Sequence, residues 1–271
     1  MNRRLGCAAG VLAFLGAASC APALHEVPSG PDAIRRAAGS PSAGIGSTRT
    51  RLESARDAWS RRPDPRAVRE AEVAYLDAAA AGDDAEECLA GALRAKAWLT
   101  EHEPDPATRE ALAVSAVETG QLCRARAPES ARCAYWLAIG LGLQARERPA
   151  TAPDGIRRMI ELLQEAAERD RALDNGGPHR VLALVLMRAP GWPLGPGDAE
   201  AALEAAGRAV EIDPAYPPNL LALAEALVRN RREDVGRAVY GDALAAARGR
   251  SLALEPDAAA WIAEAEAALA R

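Results

Sequence analysis

The chain has 271 residues, of which 49% are hydrophobic and 26% charged, enough to bury one sizeable core or to form one extended repeat array. The formal net charge is −5, the basic residues are almost all Arg with Lys96 the only Lys, and no basic stripe stands out, which excludes a nucleic-acid footprint. Only 4% of residues are aromatic and the single Phe is Phe14, so a core must be packed from Ala, Leu and Val with a few Trp and Tyr.

Residues 1–19 read as a secretory signal: Arg3 and Arg4 are followed by an apolar stretch, Leu5 to Ala18, and by the small residues Ala17-Ala18-Ser19. The apolar run is short for a membrane span. Cys20 stands directly behind it, as in the bacterial lipobox, although Ala17 occupies a place usually held by Leu. This predicts lipid attachment at Cys20, and so a lipid-anchored protein of the bacterial cell envelope on the periplasmic face. The alternative is ordinary cleavage near Ala21–Ala23. Residues 20–48 are rich in Pro, Gly, Ser and Ala and read as a flexible tether.

From residue 49 to residue 271 the chain alternates helical patterns with short breakers. Helices are expected near 50–61, 65–81, 84–100, 106–126, 130–147, 154–173, 178–189, 198–212, 217–230, 232–248 and 256–270. Alternating β-branched and polar residues are absent, so the fold class is all-α. Val181 to Leu186 is apolar nearly all round and is expected to be central. The segment from Ala206 to Pro214 ends in Asp213-Pro214, with Ala206 and Ala209 spaced to meet the preceding helix. Related endings fall near 128, 175 and 256. Their spacing is longer than the roughly 34 residues of a tetratricopeptide repeat and close to armadillo-type lengths. The Ala and Asp-Pro endings favour a helical-hairpin solenoid of divergent tetratricopeptide-like repeats, which is an interaction architecture.

Cys123 and Cys133 each stand five residues from Pro128, opposite one another if the flanking helices are antiparallel, and are expected to form a disulfide in an oxidising compartment. Cys88 is then a small buried residue. Gly176-Gly177-Pro178 reads as a sharp turn into a helix, Asp198 as a helix cap, and Asn219 as a similar cap or turn residue. The loop 190–197 holds three prolines and three glycines around Trp192, which is expected to plug the side of the solenoid. His25, His102 and His179 have no second ligand at metal spacing, and HExxH, CxxC, phosphate-loop and nucleophile-elbow patterns are absent, so the sequence calls for no metal, cofactor or catalytic residue. His179 and Arg180, at a helix start, are the nearest approach to a polar site.

The segments Tyr135-Trp136, Gly176 to Leu182, Ala189 to Asp198, Ala206 to Pro214 and Tyr216 to Asn219, all within 133–228, resemble in their order the T component (TatT) associated with tripartite ATP-independent periplasmic (TRAP) transporters. The resemblance implies a tetratricopeptide-repeat lipoprotein working beside a periplasmic solute-binding protein. Three roles follow: a scaffold for a protein partner, a carrier of a small hydrophobic ligand in a pore or groove, or a structural envelope protein. Trp136, His179, Arg180 and Trp192 are the candidate ligand or partner contacts. An array of this kind also leaves a homo-oligomer open.

Overall fold

The computed structural model describes residues 50–250 and 255–271. The expected signal at 1–19, Cys20, the tether at 20–48 and His25 lie outside the described residues. Among the described residues there are eleven α-helices: α1 (Arg51–Ser60), α2 (Pro65–Ala81), α3 (Ala85–His102), α4 (Pro106–Arg126), α5 (Ala131–Glu147), α6 (Ala152–Arg169), α7 (Gly177–Arg188), α8 (Ala199–Ile212), α9 (Pro217–Arg229), α10 (Glu233–Arg248) and α11 (Ala258–Leu269).

Local chemistry places most of these ends. Thr50 makes a capping box with Glu53, and the side chains of Asp64, Asp84, Asp105, Ser130 and Asp198 each accept from backbone N–H groups of the helix that follows. Proline opens α2, α4 and α9, where its missing N–H costs nothing. The read boundaries hold within about two residues except at α6, which stops at Arg169 instead of continuing to 173. Asp170 leaves helical geometry at φ −148°, and a 3-10 turn spans Leu173–Asn175.

Each helix packs on the next, and alternate helices α3, α5, α7, α9 and α11 also touch in succession. The odd-numbered helices thus form one layer and the even-numbered helices lie against it, which makes an all-α solenoid of helical hairpins. The four endings near 128, 175, 214 and 256 all fall between an even helix and the odd helix that follows. Interfaces are built largely from alanine: Ala71, Ala92, Ala113, Ala138, Ala166, Ala183, Ala206, Ala224 and Ala243 are all essentially fully buried. Small side chains let helix axes approach closely, and Ala loses no side-chain entropy in a helix.

Val181 to Leu186 is less central than its composition suggests. Ala183 and Met187 are buried, while Val181, Leu182, Leu184, Val185 and Leu186 are half-buried. α7 packs closely on α6, α8 and α9 but only touches α5, so even this apolar helix keeps part of its surface. Cys123 and Cys133 are joined by a disulfide with Cα atoms 5.5 Å apart, linking the end of α4 to the start of α5. Cys88 lies in the same apolar cluster, its thiol pushed up to about 12 by burial and by Asp83 and Glu87.

Candidate functional site

Three consecutive residues before α7 take left-handed backbone geometry: Asp174 at φ 50°, Asn175 at φ 54° and Gly176 at φ 82°. Asp and Asn tolerate this region better than other side chains, but two in succession need support. Tertiary hydrogen bonds supply it. Tyr135 on α5 donates its hydroxyl to Asp174 Oδ2 at 2.7 Å, and Arg180 Nη2 donates to the same oxygen at 2.6 Å. Arg180 Nη1 reaches the Asp174 carbonyl at 3.2 Å and Asn219 Oδ1 at 2.9 Å. The Asn219 amide donates in turn to the carbonyls of Asn175 (2.8 Å), Ala209 (2.9 Å) and Asp213 (3.2 Å). Gly177 has to be glycine here, because a Cβ would stand 2.6 Å from the Tyr135 hydroxyl.

This knot joins α5, α7, α8 and α9. Asn219 is therefore a fully buried network residue inside the first turn of α9, and not the cap or turn residue that its two prolines suggested. Burial and the nearby Asp174 carboxylate hold the Tyr135 phenol well above its ordinary range. Burial pulls against the Arg180 charge, but Tyr135, Asp174 and Tyr216 outweigh it, so its pKa is raised.

The knot opens onto a wall of arginines and aromatic rings. Arg180 and Arg250 both lie over the Tyr216 ring, and Tyr216 meets Trp261 of α11 edge to face at 5.5 Å. Burial and Asp174 push the Tyr216 phenol up to about 12. Further along, Arg62 and Arg94 both lie over Trp59 of α1, at 4.0 Å and 4.4 Å from the ring centroid. Arg62 also donates to Asp257 at 3.3 Å, across 195 residues. The array thus curls until its first hairpin meets the turn before its last helix.

Of the residues singled out in the sequence, Arg180 is bound into the knot and Trp136 lies beside it. Trp136 is half-buried, edge to face on Tyr135 at 5.1 Å. His179 turns toward different neighbours, and burial followed by Arg208 and Arg171 lowers its pKa. Trp192 does not plug the solenoid: it is 90% exposed, and Leu194 is 86% exposed. The physical reason is that the loop closes on itself. Gly197 N–H donates to Pro190 O at 2.8 Å, and Leu194 and Gly195 both donate to Gly191 O at 3.0 Å and 3.1 Å. Asp198 N–H closes the base by donating to Leu186 O at 3.0 Å. Residues 192–194 are left as a tip. Asn230 donates to the Ala199 carbonyl at 2.7 Å, which holds the α9–α10 turn against the start of α8 just past the loop, and Val228 and Val235 near that turn are also exposed. Sequence reasoning missed Asp174, Tyr135 as a donor, and the Trp59, Arg62, Arg94 and Asp257 group. Among the described residues no group of three or more His, Cys, Asp or Glu is placed to hold a metal, and no helix is long and apolar enough to cross a membrane.

Among solved structures, a thermophilic tetratricopeptide-repeat protein of Thermus thermophilus, TTC0263, superposes with a TM-score of 0.59 at 17% identity, covering 82% of this chain and 98% of its own. The fold is that of a tetratricopeptide-repeat solenoid. Two further solved proteins of lower similarity are MamA, with a TM-score of 0.45 at 16% identity over 73% of this chain and 90% of its own, and yeast Tom70, with 0.31 at 11% over 88% and 69%. No family model matches the chain, and no curated protein matches it. Within the solenoid, the self-closed loop 190–197 lies in the link between the two helices of the α7–α8 hairpin, and the knot lies at the junction between hairpins.

Proposed function

We propose that this chain is a non-catalytic scaffold, held at the bacterial envelope by a lipid on Cys20, which docks a protein partner at the edge formed by the loop 190–197 and the α9–α10 turn. The observation that carries this reading is the 90% exposure of Trp192 beside Leu194 at 86%, in a loop whose backbone is already ordered by its own hydrogen bonds. A water-exposed indole gains more from a partner's surface than any other side chain, and a stiff loop loses little entropy on docking. The resemblance of residues 133–228 to the TatT component of TRAP transporters suggests a periplasmic solute-binding protein as that partner.

The test is purification of the tagged full-length chain from solubilised membranes, with quantitative identification of what accompanies it. The reading expects the chain in the membrane fraction, one protein retained in near-stoichiometric amount, and release to the soluble fraction in the Cys20→Ser variant. A wild-type chain that is wholly soluble, with an N-terminus beyond residue 20, contradicts the anchor. Absence of any stoichiometric protein contradicts the scaffold.

A further inference from the structure

The arginine wall carries one cation, Arg94, that makes no ion pair with a carboxylate among the described residues. Arg62 is paired with Asp257, Arg180 with Asp174, and Arg250 with Glu255 at 3.9 Å. Arg94 has only the Tyr75 hydroxyl, at 3.4 Å from Nη2, and the face of Trp59. Its Nε is buried without an acceptor, and so is the Nε of Arg62 over the same indole. Burial lowers the Arg94 pKa; Tyr75 and the Asp174 carboxylate oppose this and Arg62 adds to it, and the net shift is downward.

Stacking on Trp59 does not resolve this. A ring answers the face of a guanidinium, whereas all five N–H donors lie in its plane. In-plane donors require oxygen acceptors, and a carboxylate matches that fork. The charge on the wall selects the ligand further. Of Arg62, Arg94, Arg180 and Arg250, only Arg94 makes no ion pair among the described residues, and a single negative charge would give it one. The surroundings on either side are aromatic: Trp59, Tyr75, and beyond Asp174 also Tyr135 and Tyr216.

We propose that this wall binds a small organic monocarboxylate at Arg94, beside Trp59 and Tyr75, and that the ligand enters in competition with Asp257 for Arg62. Entry then runs through the join between the two ends of the array. That join is made by an ion pair whose Asp257 side chain is 37% exposed, so an incoming carboxylate takes over a donor that Asp257 holds in the unliganded chain. The site is separate from the docking edge at Trp192 and does not depend on any protein partner.

Isothermal titration of the purified full-length chain with benzoate and with hexanoate tests this, using benzylamine, inorganic phosphate and a tetraglutamate peptide as the other probes. The expected result is saturable binding of both monocarboxylates, one per chain, and none of benzylamine. Arg94→Gln should lower affinity at least tenfold, Arg94→Lys should lower it less, and Asp257→Asn should raise it by removing the competitor. Thermal melting of each variant checks that it is folded. If Arg94→Gln does not fold, Arg94→Lys decides, because it keeps the charge and loses the planar fork. Unchanged affinity in the folded Arg94 variant overturns the proposal. So does the lack of saturable carboxylate binding by the wild type, equal binding of benzylamine, or binding confined to phosphate or to the acidic peptide.

Discussion

Arg180 donates through Nη1 to Asn219 Oδ1 at 2.9 Å, tying the first turns of α7 and α9 together across 39 residues. Each of the two residues is satisfied by groups the other cannot supply, since Arg180 holds Asp174 while the Asn219 amide serves three carbonyls. The pair acts as a spacer that fixes one hairpin relative to the next.

Asn219→Ala should therefore cost about 2–3 kcal/mol, since it strips partners from a buried guanidinium and from buried carbonyls at once. Asn219→Asp should be no better, although it offers Arg180 a charge. The carboxylate would face the carbonyls of Asn175, Ala209 and Asp213 without an N–H to give them. Urea denaturation of the two variants checks both expectations, and a near-wild-type Asn219→Asp chain would show that the three carbonyl contacts carry little.

Lys96 is 2% exposed and donates to Glu72 at 2.6 Å and to Ser115 at 2.8 Å, linking α2, α3 and α4. Removing the cation alone leaves a largely buried carboxylate uncompensated. Lys96→Met should destabilise by roughly 3–5 kcal/mol, and the double variant Lys96→Met, Glu72→Leu should recover much of the loss. Denaturation midpoints of the single and double variants measure the difference. A double variant as unstable as the single one would mean that packing, rather than charge, sets the cost.

His179 gives the stability a pH dependence with a definite sign. Burial, and then the charges of Arg208 and Arg171, lower its pKa below the ordinary 6.5. The unfolded chain then takes up a proton near pH 6.5 while the folded chain does not. Stability falls as the pH drops through that value and levels off once it is below the folded pKa. His179→Gln should lose less stability than the wild type between about pH 7 and pH 5. Parallel slopes in the two proteins over that interval would show that His179 is as solvated folded as unfolded.

The helices and most of their ends were legible in the sequence because their signals are local. Asp64-Pro65, Asp105-Pro106 and Asp198 mark helix starts by chemistry within three residues. The stretch after Arg169 was not legible, because Asp174 and Asn175 hold their backbone through Tyr135 and Asn219, 39 and 44 residues away. The exposure of Trp192 was hidden for another reason. An indole in an apolar neighbourhood is ordinarily buried, but Gly197 lets the loop backbone close so tightly that a Cβ there would stand 2.2 Å from the Ala189 carbonyl. The wall around Arg94 depends on curvature, which is the sum of small rotations between hairpins and leaves no mark in any one of them.

The docking edge at Trp192 is tested most directly by measuring melting temperature and partner retention on the same variant, Trp192→Ser with Leu194→Ser. Both side chains are solvated, so their loss removes no buried surface. The scaffold reading predicts a melting temperature within a degree or two of wild type, together with loss of the co-purifying protein. A variant that melts much lower and retains its partner in proportion to its folded fraction would contradict it, and would make the loop a brace.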